Sequence, residues 1–311
     1  MRWQRFAWVL LLLFMIGAKS GPEIFFEMPD PIGDDFGPGS YLYPRNIAFE
    51  PYKGLFDLRN FKVWREKPES IYFDLKMTKI TNPWAAPEGF IHPVIHVYID
   101  ARPGGEILQA THGPNVRFSP KYGWEFCLIA AGWGNSRIIA FDEGGKPIVE
   151  GLNAELLSDQ STIRLTVPAT FTGVPSPKWR YYVLVGSYDG LGPGLFRDIR
   201  KQEGEWAFGG GSDAKNEPRV LDLLAPEKGE FSQENQLRVD PQKGGGIMLT
   251  PVGDGLTSGF RWWPQAGWMA LIAAVVAGLV WAWRSGRIFI FWHAEKNGQT
   301  DQAGNKDSVK A

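Results

Sequence analysis

The sequence predicts an all-β domain, an immunoglobulin-like or jelly-roll β-sandwich, with an N-terminal signal helix and one C-terminal transmembrane helix. Three observations predict it. Short apolar runs alternate with a period of two, clusters of Gly, Pro and Asn separate them, and two longer apolar stretches occupy the ends. The 311-residue chain has a single Cys, so no internal disulfide can hold it. A hydrophobic fraction of 44% with 22% charged residues excludes a chain disordered throughout.

The first twenty residues read as a signal peptide. Arg2 and Arg5 precede an apolar run from Phe6 to Ile16, and Ala18 and Ser20 form a small-x-small site. Cleavage is expected after Ser20. The competing reading is an uncleaved anchor, for which the run is short.

Residues 21–239 form the β domain. Ile71, Phe73, Leu75 and Met77 share one face of a strand over 71–78. Val94 to Asp100 places Ile95, Val97 and Ile99 on one side, with His96 and Tyr98 on the other. Trp124 to Ala131, Ser136 to Phe141 and Lys178 to Gly186 are further strands, and Ile163, Leu165 and Val167 alternate up to Pro168. No strong amphipathic helix interrupts them. Residues 240–264 are Gly-rich and read as a tether.

A second apolar segment, 265–283, reads as a transmembrane helix. No charge lies between Arg261 and Arg284, an interval long enough to cross a bilayer. Trp262, Trp263 and Trp268 stand at one end, with Trp281 and Trp283 at the other, as indoles do in the headgroup layer. Arg284 and Arg287 then put the tail, 284–311, in the cytoplasm by the positive-inside rule. The expected location is the cell membrane, crossed once, with the domain outside at the cell surface.

The net charge of −1 hides an asymmetry. Residues 21–259 carry 24 Lys and Arg against 31 Asp and Glu, so an acidic domain lies between basic ends. Such a surface suits sugars or divalent cations and gives no footing for nucleic acid.

The densest acidic turn is Asp30-Pro31-Ile32-Gly33-Asp34-Asp35. Asp30, Asp34 and Asp35 offer hard oxygen ligands for a structural calcium ion. The competing reading is an exposed turn whose carboxylates cap backbone N–H groups. Gly186 to Gly194 and Trp206 to Asp213 are further Gly-rich loops, and neither precedes a helix as a phosphate loop would.

The phrases DPIGDDFGPGSYLYP, GLFDLRNFKV, NPWAAPEGF, HVYID, VGSYDGLGPG, FGGGSD and PRVLDLLAPE resemble, in order, the C-terminal domain family of glucodextranase. The likeness runs from about Phe26 to Leu237. That family resembles DOMON-type sandwiches and family 9 carbohydrate-binding modules. The resemblance implies a sandwich with a non-catalytic role in binding carbohydrate or the cell surface, and it names no ligand.

Six tryptophans fall in the domain. Trp84 and Trp133 sit on turns and are the expected stacking platforms for sugar rings, the alternative being that each plugs an end of the sandwich. Trp64, Trp124, Trp179 and Trp206 lie near strands and read as core. His92, His96 and His112 match no compact zinc spacing, and His96 reads as a structural strand residue. Met77 and Cys127 read as core. No Gly-x-Ser-x-Gly or His-Glu-x-x-His motif occurs. The expectation is therefore a non-enzymatic, membrane-anchored module for α-glucan or cell-envelope polysaccharide, stabilised by calcium. One alternative is a scaffold docking a secreted glycosidase or other envelope protein. The other is a haem-binding electron-transfer domain of the DOMON type, with His and Met as axial ligands.

Overall fold

In the computed structural model, which describes residues 21–142, 145–212, 217–239 and 246–253, the alternating runs pair into two antiparallel sheets. The first has the order β1 (Glu23–Pro29), β2 (Leu58–Arg65), β3 (Ser70–Met77), β10 (Thr162–Pro168), β9 (Asn153–Leu156). The second has the order β12 (Asp222–Leu223), β11 (Arg180–Ser187), β4 (Pro93–Asp100), β6 (Phe126–Ala130), β7 (Arg137–Phe141), β8 (Pro147–Gly151). Among the described residues the α-helices are single turns, α1 (Ala169–Thr172) and α2 (Gln233–Leu237).

Period-two alternation builds the main core. Phe61, Val63, Ile71, Phe73, Leu75, Ile163 and Leu165 of the first sheet meet Ile95, Val97, Ile99, Leu128, Ala140 and Val183 of the second. On the outer face of the first sheet, Arg164 makes two bonds to Asp74, at 2.7 and 2.8 Å, and lies over the rings of Trp64 and Tyr72. Trp64 is thus partly exposed there, whereas Trp124 and Trp179 are core as expected.

The second sheet is covered on both sides. Val94, Tyr98, Cys127, Ile129, Tyr182 and Leu184 point away from the first sheet, into a second core with Phe118, Trp124, Phe196, Leu237 and Leu249. This outer layer explains why β4 and β6 are buried at every position. His96 and Tyr98, the other side of β4 in the sequence pattern, therefore face protein. His96 Nδ1 lies 3.0 Å from the Tyr98 hydroxyl, and Phe196 stands edge-on to the imidazole.

Two glycines of the recurring loop phrases allow the layer to close. A Cβ on Gly186 would fall 2.3 Å from the Phe196 ring. Gly210, at φ +82, passes so close to Ser40 that a Cβ would meet its carbonyl.

Residues 246–253 fall within the stretch read as a tether, yet they lie on the sandwich. β13 (Met248–Leu249) pairs in parallel with β5 (Arg117–Phe118), and Val252 exchanges two backbone bonds with Tyr181, at 2.8 and 2.9 Å. Ile247, Leu249 and Val252 are buried, too few apolar residues to announce a strand. No helix among the described residues is long and apolar enough to cross a membrane. The signal segment 1–20 and the apolar segment 265–283 lie outside those residues.

Leu249→Ala is expected to cost roughly 2–5 kcal/mol in urea unfolding if 246–253 belongs to the fold. Met248→Ala, at an exposed position of the same strand, is expected to stay within about 0.5 kcal/mol. Equal, negligible effects would mark the segment as a tether.

Candidate functional site

Antiparallel register places three loops at one end of the second sheet. Pro93, where β4 starts, pairs with Ser187, where β11 ends, and Ile95 pairs with Ala130 at the end of β6. The loops 78–92, 131–136 and 188–212 leave from that end. They are stitched together: Tyr188 N–H donates to the His92 carbonyl at 2.7 Å, and the Glu88 carboxylate accepts from the Trp133 and Gly134 N–H groups at 3.0 and 2.6 Å. Asn135 Nδ2 donates to the Tyr188 hydroxyl at 3.2 Å.

Trp84 stands at the tip of the first loop. The Asn82 side chain closes that loop, donating to the Ala86 carbonyl and accepting from the Ala86 N–H, both at 2.8 Å. The indole is 42% exposed and lies 5.4 Å from the His92 ring. Its other neighbour is Trp206, with ring centroids 6.2 Å apart and planes at 38°.

Trp206 corrects the sequence expectation. It was expected in the core and is 45% exposed. The turn holding it folds back on itself, with Arg200 N–H donating to the Phe208 carbonyl and Gly204 N–H to the Ala207 carbonyl, both at 2.9 Å. This leaves Phe208 inside and Trp206 outside. Arg197 donates to the Trp206 carbonyl at 2.8 Å and packs its guanidinium over Phe49 and Trp206. Asn46 and Glu205 border the pair, joined at 2.7 Å. The signal that could have found Trp206 is its flank of glycines, Gly204 and Gly209 to Gly211, the same cue that marked Trp133. Trp133 is 50% exposed at φ +60, held by Glu88 beneath its backbone.

Beneath the indoles, His92 is buried and Nε2 has no hydrogen-bond partner. Burial first, then the charge of Arg197, lowers its pKa to about 4. His96 is lowered to about 3, by burial and then by Arg137. Met77 points into the core between the sheets and His96 into the outer core, so the two do not face one another. His112 is exposed.

The acidic turn lies at the same end. Asp30 and Asp34 converge with Asp222 of β12, offering oxygens within 4.8 Å of one another. Asp30 Oδ1 accepts from the Ala225 N–H at 3.1 Å and Asp222 Oδ2 from the Leu58 N–H at 2.6 Å. Their second oxygens, and Asp34 Oδ1, are buried without a hydrogen-bond partner. Burial, with Asp57 next in weight, pushes the Asp34 carboxyl up to about 7. Asp30 is raised well above the carboxylate range by burial and then by the charge of Asp34, and Asp222 by burial and then by the charges of Asp30 and Asp34. Asp35, expected beside Asp30 and Asp34, lies apart from this group. Its Oδ2 accepts from the Tyr43 hydroxyl, from Gly54 N–H at 2.9 Å and from Phe56 N–H at 3.4 Å. Adjacent residues in a turn face different ways, and Asp222 stands in PRVLDLLAPE, a phrase read only for the family resemblance.

The family model of the C-terminal binding-module, SLH-like, of glucodextranase matches residues 25–251. No curated protein matches the chain.

The neutral His92 makes the fold acid-sensitive. Between pH 6.5 and about 4 the unfolded chain takes a proton that the folded imidazole refuses, so folding stability falls as pH drops through that window. His92→Gln is expected to reduce the loss between pH 7 and 4 by about 2 kcal/mol, read from urea midpoints. An unchanged loss would mean that His92 is not held neutral.

Proposed function

The chain belongs to the family of C-terminal, SLH-like binding modules of glucodextranase, and from that premise we propose that it binds carbohydrate at the Trp84–Trp206 face. The family is one of binding modules rather than catalytic domains. The observation that carries the reading is the pair of exposed indoles, 6.2 Å apart, on loops that backbone bonds hold in place. Sugar rings present an apolar C–H face that stacks on an indole, and neighbouring polar groups then fix orientation. Asn46 and Glu205 supply such groups at the border. Trp133 extends the aromatic surface through the loop that Glu88 ties to that of Trp84. The ligand class is a neutral glucan or a cell-envelope polysaccharide, in keeping with an acidic domain.

The ends of the chain support display at a membrane. A leader at 1–20, an aromatic-flanked apolar segment at 265–283 and the cations Arg284 and Arg287 fit one span with the sandwich outside and the tail in the cytoplasm. The module would then hold polysaccharide close to the cell surface.

Calorimetry of the full chain against soluble α-glucans and cell-wall polymers tests the ligand. At least one polymer is expected to bind, and Trp84→Ala and Trp206→Ala are each expected to weaken binding at least about tenfold, about 1.4 kcal/mol. Trp64→Ala, on the outer face of the first sheet, is expected to leave affinity unchanged. No binding to any polymer would overturn the reading. For the anchor, carbonate-washed membranes are expected to retain the chain and to release a version ending before Trp262. Release of both would contradict the span.

A further inference from the structure

We propose that Asp30, Asp34 and Asp222 form a site for one calcium ion that ties the loop after β1 to β12. The sugar reading plays no part in it.

The backbone first brings the two segments together. Gly37 N–H donates to the Leu221 carbonyl at 2.8 Å, and Ala225 N–H donates to Asp30 Oδ1 across 195 residues of sequence. Gln233 of α2 seals the junction by donating to the carbonyls of Asp34 and Gly37. Each carboxyl of the trio is then left with one oxygen that nothing on the protein satisfies: Asp30 Oδ2, Asp34 Oδ1 and Asp222 Oδ1. Asp222 is fully buried and Asp30 is 6% exposed. The ligand oxygens of the trio lie within 4.8 Å of one another. Three oxygens within 4.8 Å of one another have a common point no more than about 2.8 Å from each, a small adjustment from the calcium–oxygen distance of about 2.4 Å.

Charge makes the same demand. Three carboxylates with buried oxygens, none of them in an ion pair with a described Lys or Arg, are costly to hold ionised unless protons or a metal neutralise them. Asp57, also buried, adds to the negative field while its own oxygens accept from Gly33 N–H at 3.1 Å and from the Thr78 hydroxyl. Asp35 gives Oδ2 to the Tyr43 hydroxyl and also keeps a buried Oδ1 without a partner, but it does not converge with the trio. A proton shared between the Asp30 and Asp222 carboxyls would satisfy two of the orphaned oxygens and leave Asp34 without a partner. A divalent cation satisfies all three. The donors are carboxylate oxygens without His or Cys, which favours a hard ion over zinc. Irregular loop geometry suits the flexible shell of calcium better than the strict octahedron of magnesium.

The test uses the full chain, stripped with EDTA and titrated with calcium chloride at pH 7.5. Calorimetry is expected to give one calcium per chain, and the melting temperature is expected to rise by several degrees over that in EDTA, since a ligand bound to the folded state alone stabilises it. Asp34→Asn is expected to weaken calcium binding at least tenfold, yet to melt in EDTA no lower than the unaltered chain, because one of three repelling carboxylates is gone. A role confined to hydrogen bonding would lower stability in both conditions. Asp222→Asn is expected to abolish the response, and if it fails to fold, Asp34→Asn in the partly exposed loop decides. Asp35→Asn is expected to keep the response. A melting temperature indifferent to calcium, or a response that survives Asp34→Asn, overturns the site. Equal affinity for magnesium overturns the choice of calcium.

Discussion

Strand β4 is buried at every position, and its pairing with β11 on one side and β6 on the other governs the rest of the molecule. Inward, Ile95, Val97 and Ile99 join the core between the sheets. Outward, Val94 and Tyr98 need a second cover, which the chain supplies from Phe118, Trp124, Phe196 and Leu249. Burial on both faces contributes hydrophobic stabilisation of roughly 25 cal/mol per Å² of apolar surface, without any disulfide. The same register collects the loops after β3, β6 and β11 at one end. The aromatic face is a consequence of that collection, while the carboxylate trio joins the loop after β1 to β12, which pairs with β11.

Much of this was legible in the sequence. The alternation of Ile71, Phe73, Leu75 and Met77 marked β3 with its inward face, and HVYID marked β4. β1, β2, β8 and β9 were not picked out. β1 carries exposed and half-buried residues of mixed type, and β8 is exposed throughout, so alternation does not betray them. A third layer cannot be read from period-two patterns, which assume that one face of a strand meets water. That is why the pattern put His96 and Tyr98 on the other side of β4 without showing what covers that side. The ending at 246–253 was missed because a strand of two residues has no period.

The site was half legible for a related reason. Glycines flanking Trp133 and the Asn-Pro before Trp84 announce turns, so exposure of those indoles followed from local chemistry. Trp206 opens the Gly-rich loop 206–213 too, yet it was read as core with the tryptophans near strands. Only the reversal of the chain between Arg200 and Phe208 separates an inward Phe208 from an outward Trp206. In the acidic turn, composition pointed to a cluster, while the third member, Asp222, comes from a strand far along the chain. Long-range pairing decides such partners, and one sequence does not carry it.

The two features at this end have opposite physics. The indoles expose apolar area to water at a cost that a stacking ligand removes, and the carboxyls bury charge at a cost that a cation or protons remove. The most direct measurement of the central claim is a ¹H–¹⁵N spectrum of the tryptophan indole groups during titration with a binding α-gluco-oligosaccharide. The indole signals of Trp84 and Trp206 are expected to shift saturably together, while those of Trp64, Trp124 and Trp179 stay in place. Saturable shifts confined to Trp64, or no shift at either Trp84 or Trp206, would contradict carbohydrate binding at this face.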